Sequence, residues 1–433
     1  MEWQVLIVLF GSFFLLLGIG VPISFSIGLA SLLAVMLSLP FDAAIAVISQ
    51  KMASGLDSFA LLAIPFFILA GNIMNQGGIA MRLIEFAKVL GGRLPGSLAH
   101  VNIIANMMFG AISGSAVASA AAVGGTMAPL QKKEGYDPAY SAAVNITSCP
   151  TGLLIPPSNT FIVYSLISGG TSIGALFLAG YIPGILMGLG LMLVAGFIAK
   201  KRGYAIAPKP TFAEVIKKTL DALPSLSLIV VIMGGIISGI FTATEASAIA
   251  VVYTLILAVV FYREVSIKQL PRIILESVVT TSIVLLLIGT SMGMSWAMAN
   301  ADIPYLISDA LLAISDNPII ILLIINVALL IVGVFMDMTP ALLIFTPIFL
   351  PIAMNLGMDP VHFGIMMTFN LCIGICTPPV GSALFIGCSV GHVKIDKVIK
   401  PLLPFYAVLV ATLLLVTFVP QISLTLPRFF LGY

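Results

Sequence analysis

Residues 149–160 read CPTGLLIPPSNT, and residues 371–382 read LCIGICTPPVGS. Both stretches are apolar enough to lie at membrane depth. Each carries a Pro-Pro pair, which removes two backbone N–H groups and crowds the preceding turn, so neither can run as an unbroken helix. The shift that carries Pro156 and Pro157 onto Pro378 and Pro379 also carries Gly152 onto Gly374 and Pro129 onto Pro351. It takes Gly135, Asp137 and Pro138 of EGYDP onto Gly357, Asp359 and Pro360 of LGMDP, and Gly169 and Ile173 onto Gly391 and Ile395. One matched proline would mean little. A Pro-Pro pair matched in register with these other punctuating residues identifies an internal duplication.

Composition sets the solvent. The chain is 60% apolar and 8% charged, with a mean hydropathy of +1.19, so most of it faces lipid or other helices and a soluble fold is excluded. Apolar stretches of roughly 17 to 25 residues, the length that crosses a bilayer, recur from Trp3 onward. The first lacks a basic start and a small-residue cleavage site, and reads as a mature span rather than a signal peptide. Cys149, Cys372, Cys376 and Cys388 lie in apolar segments without a CxxC pair, which points to neither a disulfide framework nor a zinc site. His100, His362 and His392 are scattered, so no transition-metal cluster is expected. A net charge of +2 gives no basis for a nucleic-acid partner. No HExxH, nucleophile or GxxxxGK[ST] motif occurs, which sets aside an intramembrane enzyme and ATP drive, and no organic cofactor is expected.

Orientation follows from the basic residues, which concentrate in cytoplasmic loops. One side takes Arg82, Lys88 and Arg93; Lys132 and Lys133; Lys200, Lys201, Arg202, Lys209, Lys217 and Lys218; Arg263, Lys268 and Arg272; and Lys394, Lys397 and Lys400. Only Lys51 and Arg428 are then left outside, and both termini fall on the outer, periplasmic face. Spans near residues 3–20, 23–39 and 58–75 bring the chain to Arg82. The short helices 97–113 and 115–131 have basic flanks at both ends and must enter and leave on one face, as a re-entrant hairpin. A broken span over 139–165 and another over 173–199 complete the half. The second half repeats this order upside down, with spans near 223–241, 245–262 and 275–299, a hairpin of 318–335 and 340–355, a broken span over 361–389 and a last span over 401–420. The expectation is an all-α polytopic membrane protein, an inverted repeat of about ten transmembrane helices and two opposed re-entrant helical hairpins.

Irregular backbone at membrane depth is tolerated only where it is buried in protein or lines a wet cavity. Four such places occur: the tips at Ser113–Ser115 and Met336–Thr339, and the breaks at Ile155–Thr160 and Thr377–Ser382. Under the repeat shift Asp337 falls on Ser115. Freed carbonyls and hydroxyls at such breaks suit a sodium ion, and the half-helix N-termini suit an anion. The competing reading is that the breaks are kinks packed by small residues. Two acids stand out, because an ionised carboxylate at depth is costly unless paired or hydrated. Asp337, with Thr339 two residues on, could hold a cation, relay a proton or cap the following helix. Glu245, in TATEAS, reads either as a transport residue or as an acid favoured by a helix N-terminus. Asn145, Asn159 and Asn370 lie in or beside the broken spans, as ligands or as helix-to-helix bonds. Residues 77–95 and 301–316 alternate apolar with charged residues before each hairpin and look like interfacial arms.

Taken together and in order, GAISGSAVASAAAVG, CPTGLLIPPSN, GIFTATEASA, GVFMD and TPPVG resemble the large membrane subunit of the tripartite ATP-independent periplasmic (TRAP) transporters, over essentially the whole chain. The resemblance implies a sodium-driven importer of small organic acids, sugar acids such as sialic acid or C4-dicarboxylates, in a bacterial inner membrane. It implies an elevator movement of the hairpin domain against a scaffold, a periplasmic substrate-binding protein, and a small four-span membrane subunit, here a separate chain. By residue, it implies sodium at Ser113, Gly114, Ser115, Thr151, Gly152, Pro156 and Asn159 in one half, and at Asp337, Thr339, Thr377, Pro378 and Gly381 in the other. Substrate binding or transport falls to Ser115, Ser158, Asn159, Thr160, Asp337, Ser382 and Glu245. Scaffold helices are expected over 1–76 and 200–299, arms over 77–96 and 300–316, and hairpins with transport helices over 97–199 and 317–433. The alternative is a stand-alone organic-anion or ion exchanger of similar architecture that needs no binding protein.

Overall fold

A computed structural model describes residues 2–206 and 211–433; Lys209, placed above among the cytoplasmic basic residues, lies outside them. The described residues form helices and no strands. The first half runs α1 (Glu2–Gly18), α2 (Ile23–Val35), α3 (Phe41–Leu56), α4 (Ala63–Gln76), α5 (Ile79–Gly91), α6 (Ser97–Ser113), α7 (Ala116–Lys133), α8 (Pro138–Ser148), α9 (Thr151–Leu154), α10 (Asn159–Ile167) and α11 (Ile173–Arg202). The second runs α12 (Phe212–Ile237), α13 (Ala243–Leu255), α14 (Leu270–Asn300), α15 (Ile303–Ile314), α16 (Pro318–Phe335), α17 (Met338–Asn355), α18 (Pro360–Gly374), α19 (Ser382–Val390), α20 (Ile395–Phe418) and α21 (Pro420–Leu431). Among the described residues, eight helical segments are long and apolar enough to cross a bilayer unaided. The shorter α1 and α2, the first hairpin α6–α7 and the two broken rods, α8–α10 and α18–α19, supply further membrane-depth elements.

Most elements pair across the repeat, and the departures have local causes. The single α14 corresponds to both α3 and α4, a division absent from the sequence reading. The first half breaks at Asp57, which closes α3 in a non-helical conformation (φ −82°, ψ 62°), where the second half has helix-compatible Val279. α11 likewise corresponds to α20 plus α21. Pro420 cannot continue α20 and drives Val419 to φ −118°, ψ 84°, as the residue before a proline requires. The expected span 223–241 starts earlier, at Phe212, because Thr211 and Glu214 form a capping box there. The last span also starts earlier, at Ile395 rather than 401.

The two hairpins α6–α7 and α16–α17 are opposed. α11, about 45 Å long at 1.5 Å per residue, measures this directly. At its C-terminal end, Arg202 pairs with Asp137 at 2.7 Å, just beyond the base of the first hairpin. At its N-terminal end, Gly174 packs beside Leu431, and Tyr433 donates to Asp359 at 3.5 Å, just beyond the base of the second. Asp137 and Asp359 are repeat equivalents. Their separation along α11 sets the hairpin bases on opposite faces and the tips toward each other.

Close packing and buried amides fix each hairpin to its broken rod. A Cβ on Gly152 would lie 2.3 Å from the Gly110 Cα, and one on Gly374 2.6 Å from the Gly333 Cα. Asn106 donates to Asn102 at 2.8 Å, Asn145 at 3.1 Å and Ser148 at 2.8 Å, joining α6 to α8. Asn370 donates to the Asn326 carbonyl and side-chain oxygens at 2.9 Å, joining α18 to α16. Asn145 and Asn370 are therefore helix-to-helix bonds in this structure. The arm α5 is held from outside: Arg82 stacks 3.7 Å over the Tyr262 ring and Glu85 meets Lys218 at 3.0 Å. Burial pushes the Glu85 carboxyl up, but Lys88 and Lys218 outweigh it and hold it below its ordinary value.

Gly152→Ala and Gly374→Ala are each expected to destabilise the fold by about 1–3 kcal/mol through overpacking. Thermal melts of the purified chain in detergent check this, and melting points equal to wild type would mean that the close approach is not tight.

Candidate functional site

Ser113 ends α6, Gly114 turns the chain through the left-handed region at φ 63°, and Ser115 caps α7 by accepting the Ala118 N–H at 3.2 Å. Only glycine takes that turn without a Cβ penalty. A Cβ on Gly114 would lie 3.1 Å from the Asn159 amide nitrogen, so the first tip sits directly on the first break. The Asn159 Oδ1 and the Ser158 Oγ are buried without a hydrogen-bond partner in the chain. Buried polar oxygens are rarely left so, and two at one break mark a place for a ligand.

The second tip differs. Asp337 occupies the N-cap position of α17 but makes no side-chain cap bond. Its Oδ1 instead accepts from the Ser382 hydroxyl at 3.1 Å, at the second break. The helix-capping role weighed in the sequence is thus not the one the geometry displays. Across the repeats, Thr160 donates to the Met338 sulfur at 3.4 Å.

These parts enclose one cavity of about 340 Å³. Ser113, Gly114, Ser115, Asn159, Thr160, Asp337, Thr339 and Ser382 line it. Four helices begin at its wall, α7 at Ala116, α10 at Asn159, α17 at Met338 and α19 at Ser382. Each presents unpaired N–H groups and roughly half a positive charge. Among the described residues, no Lys, Arg or His lines the cavity, and its one titratable side chain is Asp337. The opposite wall is Gly71, Asn72 and Asn75 of α4 with Thr280 and Val284 of α14. Those wall residues were missed, because polar side chains on an otherwise apolar span look like ordinary helix contacts until the partner helix is placed.

The remaining predicted positions lie behind the cavity or away from it. Gly152 is a packing contact, and Thr151, fully buried, donates to the Ser148 carbonyl at 2.5 Å. Pro156, Ser158 and Pro378 shape the breaks without lining the cavity. Thr377 donates to the Ile373 carbonyl at 2.7 Å. A Cβ on Gly381 would fall 2.4 Å from the Ile375 carbonyl oxygen, so that position admits only glycine. Glu245 is exposed at the start of α13, where it accepts from the Thr242 N–H and hydroxyl at 2.8 Å in a capping box. It does not reach the cavity. The Thr-x-x-Glu spacing was the sequence signal for that role.

A family profile described as "Tripartite ATP-independent periplasmic transporter, DctM component" matches residues 10–422. The chain belongs to this family. The sialic acid TRAP transporter large permease protein SiaM of Vibrio cholerae is 41% identical over 98% of this chain and 99% of its own. The C4-dicarboxylate TRAP transporter large permease protein DctM of Pseudomonas aeruginosa is 39% identical over 93% of this chain and 94% of its own. YgiK of Salmonella typhimurium is 63% identical over 98% of both. The solved YdaH transporter of Alcanivorax borkumensis matches with a TM-score of 0.63 over 85% of this chain and 86% of that one, at 13% identity, a likeness of fold. SiaM and DctM are transporter permeases rather than enzymes, and this TRAP large permease is a multi-pass membrane transporter.

Because all four native cysteines are buried, introduced ones report the cavity. Thr160→Cys is expected to react with a water-soluble maleimide, and Thr151→Cys to stay unlabelled. Equal labelling at both would remove the boundary drawn here.

Proposed function

We propose that this TRAP permease imports a small organic acid in symport with sodium, through the cavity between the two hairpin tips. The observation that carries the reading is the convergence of four helix N-termini on one cavity that contains a carboxylate and no cationic side chain. Backbone N–H groups and helix dipoles hold anions, which suits an organic acid. Sodium suits the oxygen-rich remainder: the Ser113–Ser115 tip with the unpaired Asn159 and Ser158 oxygens, and Asp337 with Thr339 and the Thr377–Gly381 backbone. Relatives whose names specify sialic acid or C4-dicarboxylate frame the substrate class. A periplasmic binding protein delivers the acid, and a small four-helix membrane subunit supports α1–α4 and α12–α14 as a scaffold in the bacterial inner membrane, with both termini periplasmic.

The cavity runs along α4 from Ile64 to Asn75 and lies against Thr280 and Val284 toward the middle of α14. The hairpins and broken rods move as one body along α4 and α14 to present this cavity to each face in turn, as an elevator.

Uptake into liposomes of the purified complex, with sialic acid or a C4-dicarboxylate and the matching binding protein, tests this with and without an inward sodium gradient. The gradient is expected to drive accumulation in wild type, and Asp337→Ala to lose at least about tenfold of it, the cost of one charge-assisted contact. Glu245→Ala is expected to retain transport. Uptake indifferent to sodium, or intact in Asp337→Ala, would overturn the coupling assignment.

A further inference from the structure

α7 and α19 both begin at the transport cavity, and their far ends enclose a second one, of about 510 Å³. Its apolar walls include Gly125, Pro129 and Val390, and its polar groups are Lys132, His392 and Ser141. Among the described residues, no carboxylate lines it. Ser141 is 6% exposed, and its hydroxyl has no partner in the chain. A buried hydroxyl opening onto a cavity edged by a lysine and an imidazole is a donor awaiting an acceptor. His392 stands at φ 51°, a left-handed conformation uncommon outside glycine. The turn that holds it there is closed by His392 N–H to Ser389 and Val393 N–H to Cys388, at 3.2 and 3.0 Å.

We propose that this cavity binds an anionic phospholipid of the cytoplasmic leaflet. Its phosphate is held by Lys132, His392 and the Ser141 hydroxyl, and an acyl chain lies along Gly125, Pro129 and Val390. The charge pattern selects a phosphate, and the extent of apolar wall selects one that carries hydrocarbon. Basic pockets between helices at the cytoplasmic surface bind such headgroups. The lipid ties the base of the first hairpin to the turn after α19, so it stabilises the moving body without touching the transported acid.

Native mass spectrometry of the full chain, titrated with phosphatidylglycerol, phosphatidylcholine or inorganic phosphate, tests the assignment. Wild type is expected to retain one phosphatidylglycerol in preference to phosphatidylcholine. Lys132→Ala is expected to weaken it about tenfold, the loss of one charge-assisted hydrogen bond, with recovery in Lys132→Arg and a smaller loss in Ser141→Ala. Lys200→Ala, at an exposed lysine outside the cavity, is expected to bind as wild type does. Equal losses in Lys132→Ala and Lys200→Ala would overturn the site in favour of diffuse surface charge. Phosphatidylcholine bound as tightly as phosphatidylglycerol, or phosphatidylglycerol displaced by millimolar inorganic phosphate, would also overturn it.

Discussion

A backbone immersed in lipid can be interrupted only where something replaces the hydrogen bonds it loses, and the structure depends on how that constraint is met. Four interruptions open onto one cavity, and each leaves a helix N-terminus pointing at it. The positive potential there is made of peptide dipoles fixed in place, with no lysine or arginine to be desolvated or ordered when an anion enters. Asp337 works against that field. A bound acid and an ionised Asp337 within about 340 Å³ repel each other strongly at low dielectric. On the proposed reading a sodium ion between them relieves the repulsion, which makes the cation a condition of substrate binding rather than an accessory to it.

The halves meet this constraint with different chemistry at matched positions. Ser115 caps its own helix, whereas Asp337, its equivalent, leaves the cap unmade and turns to Ser382. The first break offers side-chain oxygens at Ser158, Asn159 and Thr160. At the matched positions of the second, Val380 and Gly381 replace the first two, and only Ser382 of the three keeps a hydroxyl. A polar break is therefore matched with a neutral, glycine-turned tip, and a leaner break with a charged tip. Duplication supplied the frame, and divergence made its two sites unlike.

What could be read from the chain reflects how local each signal is. Proline and glycine act within a turn of their own position, so both breaks, both tips and the repeat register were legible, and so was the opposed pairing once the basic loops were placed. The α3–α4 division was not legible. It turns on Asp57 adopting a non-helical conformation within a segment whose repeat partner stays helical, a contrast that no local propensity enforces. Asn72, Asn75 and Thr280 were invisible for another reason: their role comes from facing the tips, and sequence does not say which helix lies opposite. Gly152, assigned to an ion site, and Gly374, read only as its repeat equivalent, are both approached closely by a facing backbone.

The distribution of polar bonds also separates what is bolted from what can slide. Each hairpin is pinned to its broken rod by buried amides, and the rods are joined across the repeats. The Cys376 thiol donates to Ile146 at 3.0 Å and Tyr164 donates to Pro360 at 2.6 Å, while within the second half Tyr406 of α20 donates to the Cys376 carbonyl. Breaking such bonds in a low-dielectric interior leaves unpaired groups at a cost of about 1–3 kcal/mol each, so these parts move together or not at all. Against α4 and α14 the situation is reversed. Among the described residues, no side-chain hydrogen bond or ion pair joins either helix to a hairpin tip, and Asn72 spends its amide on Ser277 within the α4–α14 pair. A Cβ on Gly71 would lie 2.8 Å from the Ser113 carbonyl oxygen, and the absence of that side chain leaves little there to interlock. On the proposed reading, a seam without hydrogen bonds between scaffold and tips, beside a cross-braced body, is the arrangement that lets the cavity travel without being dismantled.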